Sequence, residues 1–268
     1  MMTVMAQYCS VLITGASSGI GAALAQELAA PGMTLHLSGR DPGRLAAVAD
    51  ACRARGAATR GTVLDVCDAT AMAAWVVEAG RLDLVVANAG ISAGAGEKAP
   101  EGGAQTRAIF ATNLDGVLNT VLPAIAAMRD QPAGADGCRG RIAVVASIAA
   151  FVAGSAAPAY CASKAAADAW TVATALRLRR EGIAMTSVCP GYIRTAMTAG
   201  NRFPMPGLMD ADRAARIILR GVAARRIRLI FPWWMGLAAR LGGLVPPRLI
   251  GAMMARLPAK QPLEGTWR

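Results

Sequence analysis

A doubly wound, parallel α/β sheet is the fold class this sequence predicts, on three observations. Short apolar runs of strand length alternate with alanine-rich helical stretches along most of the chain. The first run leads directly into a glycine-rich turn and a helix, and no proline- or serine-rich linker divides the 268 residues. Hydrophobic residues make up 54% of the chain, enough to bury one sizeable core. Strands alternating with helices form right-handed βαβ units whose sheet is covered on both faces.

Cys9–Thr14 reads as the first strand, and Gly15-Ala-Ser17-Ser18-Gly19-Ile20-Gly21 opens the helix from Ile20 to Ala30. A strand, a glycine turn and a helix N-terminus together cradle a pyrophosphate: the three glycines serve the turn, the approach of the backbone to the ligand and helix–strand packing. The spacing is G-x-x-x-G-x-G, a variant of the G-x-G-x-x-G form, and predicts dinucleotide binding.

Met33–Ser38 is the second strand and ends in Gly39-Arg40, where an NAD-preferring site would place an acid for the ribose 2′-hydroxyl. Gly39 leaves room and Arg40 can clamp a 2′-phosphate, so NADP(H) is favoured over NAD(H). The other reading of Arg40 is a solvated side chain capping the turn before the helix of residues 43–55. Thr62–Val66 is the third strand, with Asp65 at its C-terminal end. Its partner is an adenine amino group, through the Asp65 carboxylate or the Val66 backbone, or else Asp65 caps the helix beginning near Asp68. Leu82–Ala87 is the fourth strand and runs into the tight turn Asn88-Ala89-Gly90, beside the cofactor.

Residues 103–130 form a long helical stretch with Asn113 inside it, where Asn is mildly unfavourable, so Asn113 either holds a water or bends the helix. Arg141–Ser147 is the fifth strand and delivers Ser147 to the ligand side of the sheet, 13 residues before Tyr160. The helix of about 158–180 carries Tyr160 and Lys164 one turn apart, facing the same way. A Lys among alanines is costly to bury, and an ammonium beside a phenol lowers a pKa of about 10, making Tyr160 a usable general acid or base. Ile183–Cys189 is the sixth strand, and the turn Pro190-Gly191-Tyr192-Ile193-Arg194-Thr195 beyond it is placed to close over a nicotinamide. Residues 210–224 are helical, and Arg226–Phe231 is the seventh strand. The strand order 3-2-1-4-5-6-7 is expected.

TGASSGIG at 14–21, Asp65, NAG at 88–90, Asn113, Ser147, YxxxK at 160–164 and PGxxxT at 190–195 stand in the order and spacing of one family. The chain resembles the short-chain dehydrogenases/reductases over about residues 8–232. The resemblance implies a Rossmann-type NAD(P)-binding catalytic domain over 1–232, with residues 233–268 as an amphipathic helical extension. It also implies a tetrad in which Tyr160 protonates the substrate oxygen and Ser147 hydrogen-bonds it. Lys164 binds the nicotinamide ribose and lowers the Tyr160 pKa, Asn113 holds a relay water, and Ile193 and Thr195 contact the carboxamide. Ala87 departs from the commoner NNAG, leaving Asn88 in place. The larger departure is the extension after 232. A homodimer or homotetramer acting on a small carbonyl or alcohol is implied as well.

The loops 92–100, 148–157 and 196–209 would line the substrate pocket. They offer Phe151, Val152, Met197, Phe203, Met205, Leu208 and Met209, with Arg202 as the exception, a lining suited to a bulky apolar substrate. A non-enzymatic nucleotide-binding regulator or scaffold acting through its basic tail is the competing class, and the intact Tyr160 and Lys164 pair argues against it. Residues 201–268 hold 11 Arg and 1 Lys against three acids, so +9 of the chain's net +11 lies in the tail. Without basic–aromatic alternation this charge does not read as a nucleic-acid surface. The apolar stretch 229–257, with Trp233, Trp234, Arg240, Arg248 and Arg256 and split by Pro246-Pro247, reads as a peripheral membrane contact, or else as a cover for the cleft or a subunit contact. Six scattered Cys (9, 52, 67, 138, 161, 189) and a single His36 exclude a metal cluster and a disulfide framework, and suit a reducing cytoplasm. The opening residues lack a basic segment before an apolar run, so no signal peptide is expected.

Overall fold

Alternate residues of a buried strand face opposite sides, and the first strand shows how that builds the molecule. Val11 and Ile13 pack into one core cluster while Leu12 packs into another, all three without solvent exposure. The structure, a computed structural model, describes residues 8–94, 101–201 and 203–245. In chain order the strands are β1 (Ser10–Ile13), β2 (Thr34–Gly39), β3 (Ala58–Val63), β4 (Leu84–Ala87), β5 (Gly140–Val145), β6 (Ile183–Pro190), β7 (Ile193–Arg194), β8 (Met209–Asp210) and β9 (Arg228–Phe231). The helices are α1 (Gly19–Leu28), α2 (Pro42–Arg53), α3 (Ala69–Glu78), α4 (Gly103–Phe110), α5 (Gly116–Asp130), α6 (Pro158–Leu178), α7 (Ala196–Ala199), α8 (Ala211–Ala223) and α9 (Trp233–Gly242).

Seven strands form one parallel sheet in the order β3-β2-β1-β4-β5-β6-β9. This is the expected order, β9 being the seventh strand, because β7 and β8 pair only with each other in a two-stranded ribbon. Leu24, Leu28, Leu45, Val48, Ile218 and Leu219 of α1, α2 and α8 cover one face. Met72, Trp75, Val117, Val121, Met128 and Ala167 of α3, α5 and α6 cover the other.

Two boundaries differ from expectation. The third strand is Ala58–Val63, not 62–66, and Asp65 lies beyond its end. As an edge strand, β3 leaves much of its length exposed and needs no apolar run, so its sequence, ATRGTV, carries little strand signal. The stretch 103–130 is interrupted by a π-helical turn, Ala111–Asp115, that contains Asn113. This run is long and apolar enough to cross a membrane by length and composition, but half of it is buried, and α5 packs on α3 and β4 as a core helix does.

The last strand is tied to α6 by an ion pair. Asp168, 4% exposed, accepts two bonds from the Arg228 guanidinium, at 2.9 and 2.7 Å, and one from the Ser187 hydroxyl at 2.6 Å. Arg228 also lies over the Phe151 ring, 5.5 Å from its centroid. Replacing Asp168 by Ala leaves a mostly buried cation without its anion and should destabilise the fold by about 2–3 kcal/mol, the lower end for a buried pair because the Arg228 side chain is 30% exposed. Urea unfolding of Asp168→Ala beside the parent protein measures this, and a change under about 0.5 kcal/mol contradicts it.

Candidate active site and nucleotide cleft

The glycine turn and the turn after β4 are locked to each other. The Asn88 side chain donates to the carbonyls of Thr14 and Gly15 at 3.0 and 3.1 Å, while the Asn88 and Ala89 N–H groups donate to the Thr14 hydroxyl at 3.0 and 3.2 Å. Gly15 has φ +63°, and a Cβ there would come within 2.8 Å of the Ala89 Cα; a Cβ at Gly21 would run into the Gly15 carbonyl. Ser18, at the N-cap of α1, makes no side-chain cap bond, and the first turn of α1 holds no acid, so its amides and dipole are available to an anion. The Thr14 hydroxyl was missed by sequence reading, although it stands inside the quoted motif.

A cleft of about 650 Å³ runs from this turn across the C-terminal edge of the sheet. Every catalytic or cofactor-binding candidate named from the sequence lines it except Gly21, which works behind the turn, and Asn113. Arg40 reaches the cleft and does not cap α2: that cap is Asp41, which accepts from Arg44 N at 2.9 Å and pairs with Arg44 Nε at 2.8 Å. Arg44 is a second cation at the cleft wall. Asp65 does not cap α3 either. It accepts from Cys67 N at 3.0 Å, and Asp68 caps the helix through Ala71 N at 2.9 Å.

At the other end of the cleft, Lys164 is 4% exposed and its ammonium donates to the Val145 carbonyl, at the end of β5, at 2.7 Å. Burial lowers its pKa from the usual 10.5 to about 8. Tyr160 behaves opposite to expectation. Burial raises its pKa, Cys161 and Tyr192 add to the rise, and a hydrogen bond with the Ser147 hydroxyl takes back part of it. The Lys164 ammonium lies 6.0 Å from the Tyr160 ring centroid and gives one hydrogen bond to the Val145 carbonyl. Ser147 sits two residues past the end of β5, capping a short 3₁₀ turn, Ile148–Phe151, through Ala149 N at 3.1 Å.

Asn113 is fully buried and its amide is committed: the carbonyl accepts from Ile91 N at 2.8 Å, and the amino group donates to Ile91 O at 2.9 Å and Ser163 Oγ at 3.1 Å. Its side chain therefore positions the turn after β4 against α6. Glu101 accepts from Ala159 N at 2.9 Å and so caps the helix that carries Tyr160. Nothing local in the sequence pointed to Glu101, because its partner lies 58 residues away.

Of the apolar residues expected to meet a substrate, Met197 lines the cleft. Phe151 is covered by Arg228 and by Arg240, whose guanidinium is 5.0 Å from the ring centroid, and Phe203 packs at a tilt of 60° against Tyr192, with centroids 5.9 Å apart. Arg202 and residues 95–100 of the first pocket loop lie outside the described residues, as do Arg248, Arg256 and the rest of 246–268.

A family model described as short chain dehydrogenase matches residues 10–204. An uncharacterized oxidoreductase of Myxococcus xanthus is 34% identical over 254 residues, covering 93% of this chain and 98% of that protein. A ketoacyl reductase of Nostoc sp. is 29% identical over 229 residues, covering 82% and 77% of the two chains. Among solved structures, a short chain dehydrogenase/reductase from Burkholderia phymatum in complex with NAD shares the fold, with a TM-score of 0.78 at 23% identity, covering 97% of this chain and 98% of the other.

Keeping the Lys164 ammonium buried costs about 3 kcal/mol for a shift from 10.5 to about 8. The unfolded chain binds more protons than the folded one between those two values, so this cost is complete below pH 8 and disappears as pH rises to 10.5. Lys164→Met removes the charge and loses the bond to Val145, worth about 1 kcal/mol. It should raise the melting temperature at pH 7, and the advantage should shrink between pH 8 and pH 10. Thermal scans at the two pH values check both the sign and the window; a Met variant less stable at pH 7 contradicts this account.

Proposed function

We propose that this chain, which belongs to the short-chain dehydrogenase/reductase family, is an NADP(H)-dependent oxidoreductase that interconverts a carbonyl and an alcohol on a bulky apolar substrate. The observation that carries the reading is the joint placement of Ser147, Tyr160 and Lys164 at one end of a cleft whose other end is the glycine turn and Arg40. A volume of about 650 Å³ is in the range of cofactor sites, and the turn leaves no room for a Cβ at Gly15 or Gly21, as a pyrophosphate cradle requires. The residues present therefore fit a nicotinamide dinucleotide.

Ser17, Ser18, Gly19 and Ile20 would hold its pyrophosphate at the α1 N-terminus, and Asp65, Val66 and the Asn88–Gly90 turn its adenosine half. Lys164 would meet the nicotinamide ribose, with Pro190, Gly191, Ile193 and Thr195 against the ring. Arg40, with Arg44 also on the cleft wall, would meet a 2′-phosphate, and neither position 39 nor position 40 holds an acid to bind a 2′-hydroxyl. When bound, the cofactor supplies or takes up the hydride. A phenol whose pKa is raised stays protonated at neutral pH, so Tyr160 is set to donate a proton to the substrate oxygen, which suits reduction. Ser147, already bonded to that phenol, shares the same oxygen. The non-enzymatic reading gains nothing from the structure, since a scaffold has no return for burying Lys164.

Tyr160→Phe should lower turnover of NADPH with apolar ketones by at least about a hundredfold while leaving NADPH binding within about threefold, because the hydroxyl supplies the proton and little of the nucleotide contact. Stopped-flow turnover and fluorescence titration measure the two, and turnover preserved in the Phe variant defeats the proposal. For the cofactor, Arg40→Ala and Gly39→Asp should each shift preference from NADPH toward NADH by about tenfold or more. Unchanged preference in both variants would move the determinant away from this turn.

A further inference from the structure

From the apolar face of α9 we infer a docking surface for an anionic lipid bilayer, on a helix that packs beside the cleft. The helix turns Gly236 and Ala239 inward against the fold. Outward it presents Trp233, Trp234, Leu237, Leu241 and, just past its end, Leu244, which are 73, 43, 52, 57 and 81% exposed. Positions 233, 237 and 241 follow each other one turn apart, so these side chains make one stripe. A water-facing helix has no use for two tryptophans and three leucines on its outer side.

Charge selects the occupant. Residues 213–245 contain seven Arg and no Asp or Glu; Arg216, Arg225 and Arg228 are paired with Glu27, Asp136 and Asp168, which leaves Arg213, Arg220, Arg226 and Arg240 as the basic surface. Arg240 stands one turn from both Leu237 and Leu244 and is itself exposed. A second copy of the chain would bring the same basic segment against itself, which is unfavourable across a two-fold contact. An anionic bilayer offers apolar depth for the stripe, headgroup level for the tryptophans and negative charge for the arginines. A ten-residue helix is about 15 Å long and cannot span a core of about 30 Å, so the helix lies in the interface plane.

The place of α9 links this surface to the cleft. Met235 and Pro232 pack beside Gly191, which lines the cleft, and Trp234 packs beside Gly207 in the loop before β8. The helix also contacts the 3₁₀ turn that follows Ser147. Only this last link rests on the catalytic reading of the cleft; the binding itself does not.

Co-sedimentation of the full-length protein with phosphatidylglycerol-containing vesicles and with pure phosphatidylcholine vesicles tests the inference. A triple variant, Trp233→Ser with Leu237→Ser and Leu241→Ser, is run beside it. Its changes lie on the outer side, so its melting temperature and NADPH binding report whether the fold is kept. Binding to phosphatidylglycerol vesicles, at least about tenfold weaker on pure phosphatidylcholine, weaker at high salt and reduced at least about tenfold in the triple variant, is the expected result. No binding to the anionic vesicles overturns it, as does binding that the triple variant retains. A dimer in light scattering that the triple variant splits, without vesicle binding, assigns the face to a second copy and overturns it too. Loss of turnover in Tyr160→Phe with vesicle binding intact keeps this result separate from the catalytic reading.

Discussion

The bond from the buried Lys164 ammonium to the Val145 carbonyl is the contact on which the rest of the site depends. It joins α6 to the end of β5, and that strand end leads within two residues to Ser147. The proton donor, its hydroxyl partner and the cation are therefore fixed by one helix–sheet junction. Below it on α6 comes Asp168, four residues on, so Tyr160, Lys164 and Asp168 succeed each other one turn apart. The upper two line the cleft and the third anchors the helix through Arg228. Burying an unpaired ammonium costs stability, and the structure accepts that cost close to where a substrate would meet it.

Much of this was legible in the chain because parallel sheets write plainly. Buried strands such as Leu84–Ala87 are continuous apolar runs, and the turns after them hold the glycines and polar residues that meet a ligand. The third strand was misplaced for the converse reason: at an edge the physics requires little hydrophobicity, and the apolar residues Val63, Leu64 and Val66 drew the boundary toward themselves. Residue types that do local work were found, while those that act across long separations were not. Glu101 capping α6 and Ser163 holding Asn113 are ordinary residues in sequence, and proximity alone gives them a role.

Tyr160 and Lys164 show where spacing misleads. One turn of helix puts two side chains on the same face, and from that alone the cation should draw the phenol toward ionisation. In the structure each answers first to burial, which suppresses charge on both: the phenol is held neutral and the ammonium is brought close to losing its proton. The substrate loops show a second limit. Phe151 was an apolar loop residue by sequence, and its ring in fact spends its faces on Arg228 and Arg240.

The Asp168–Arg228 pair spans 60 residues of chain, and Arg228 belongs to the last strand of the sheet. During synthesis the glycine turn, the Asn88 turn and the whole of α6 leave the ribosome before the strand that secures α6 exists. Until β9 arrives, Asp168 is an acid facing an unfinished sheet edge, and the junction that holds Lys164 lacks its brace. The nucleotide half of the molecule can thus take shape early, while the reactive half closes only near the end of translation. A chain interrupted before residue 228 would carry every motif residue of the site and lack the Arg228 brace on α6.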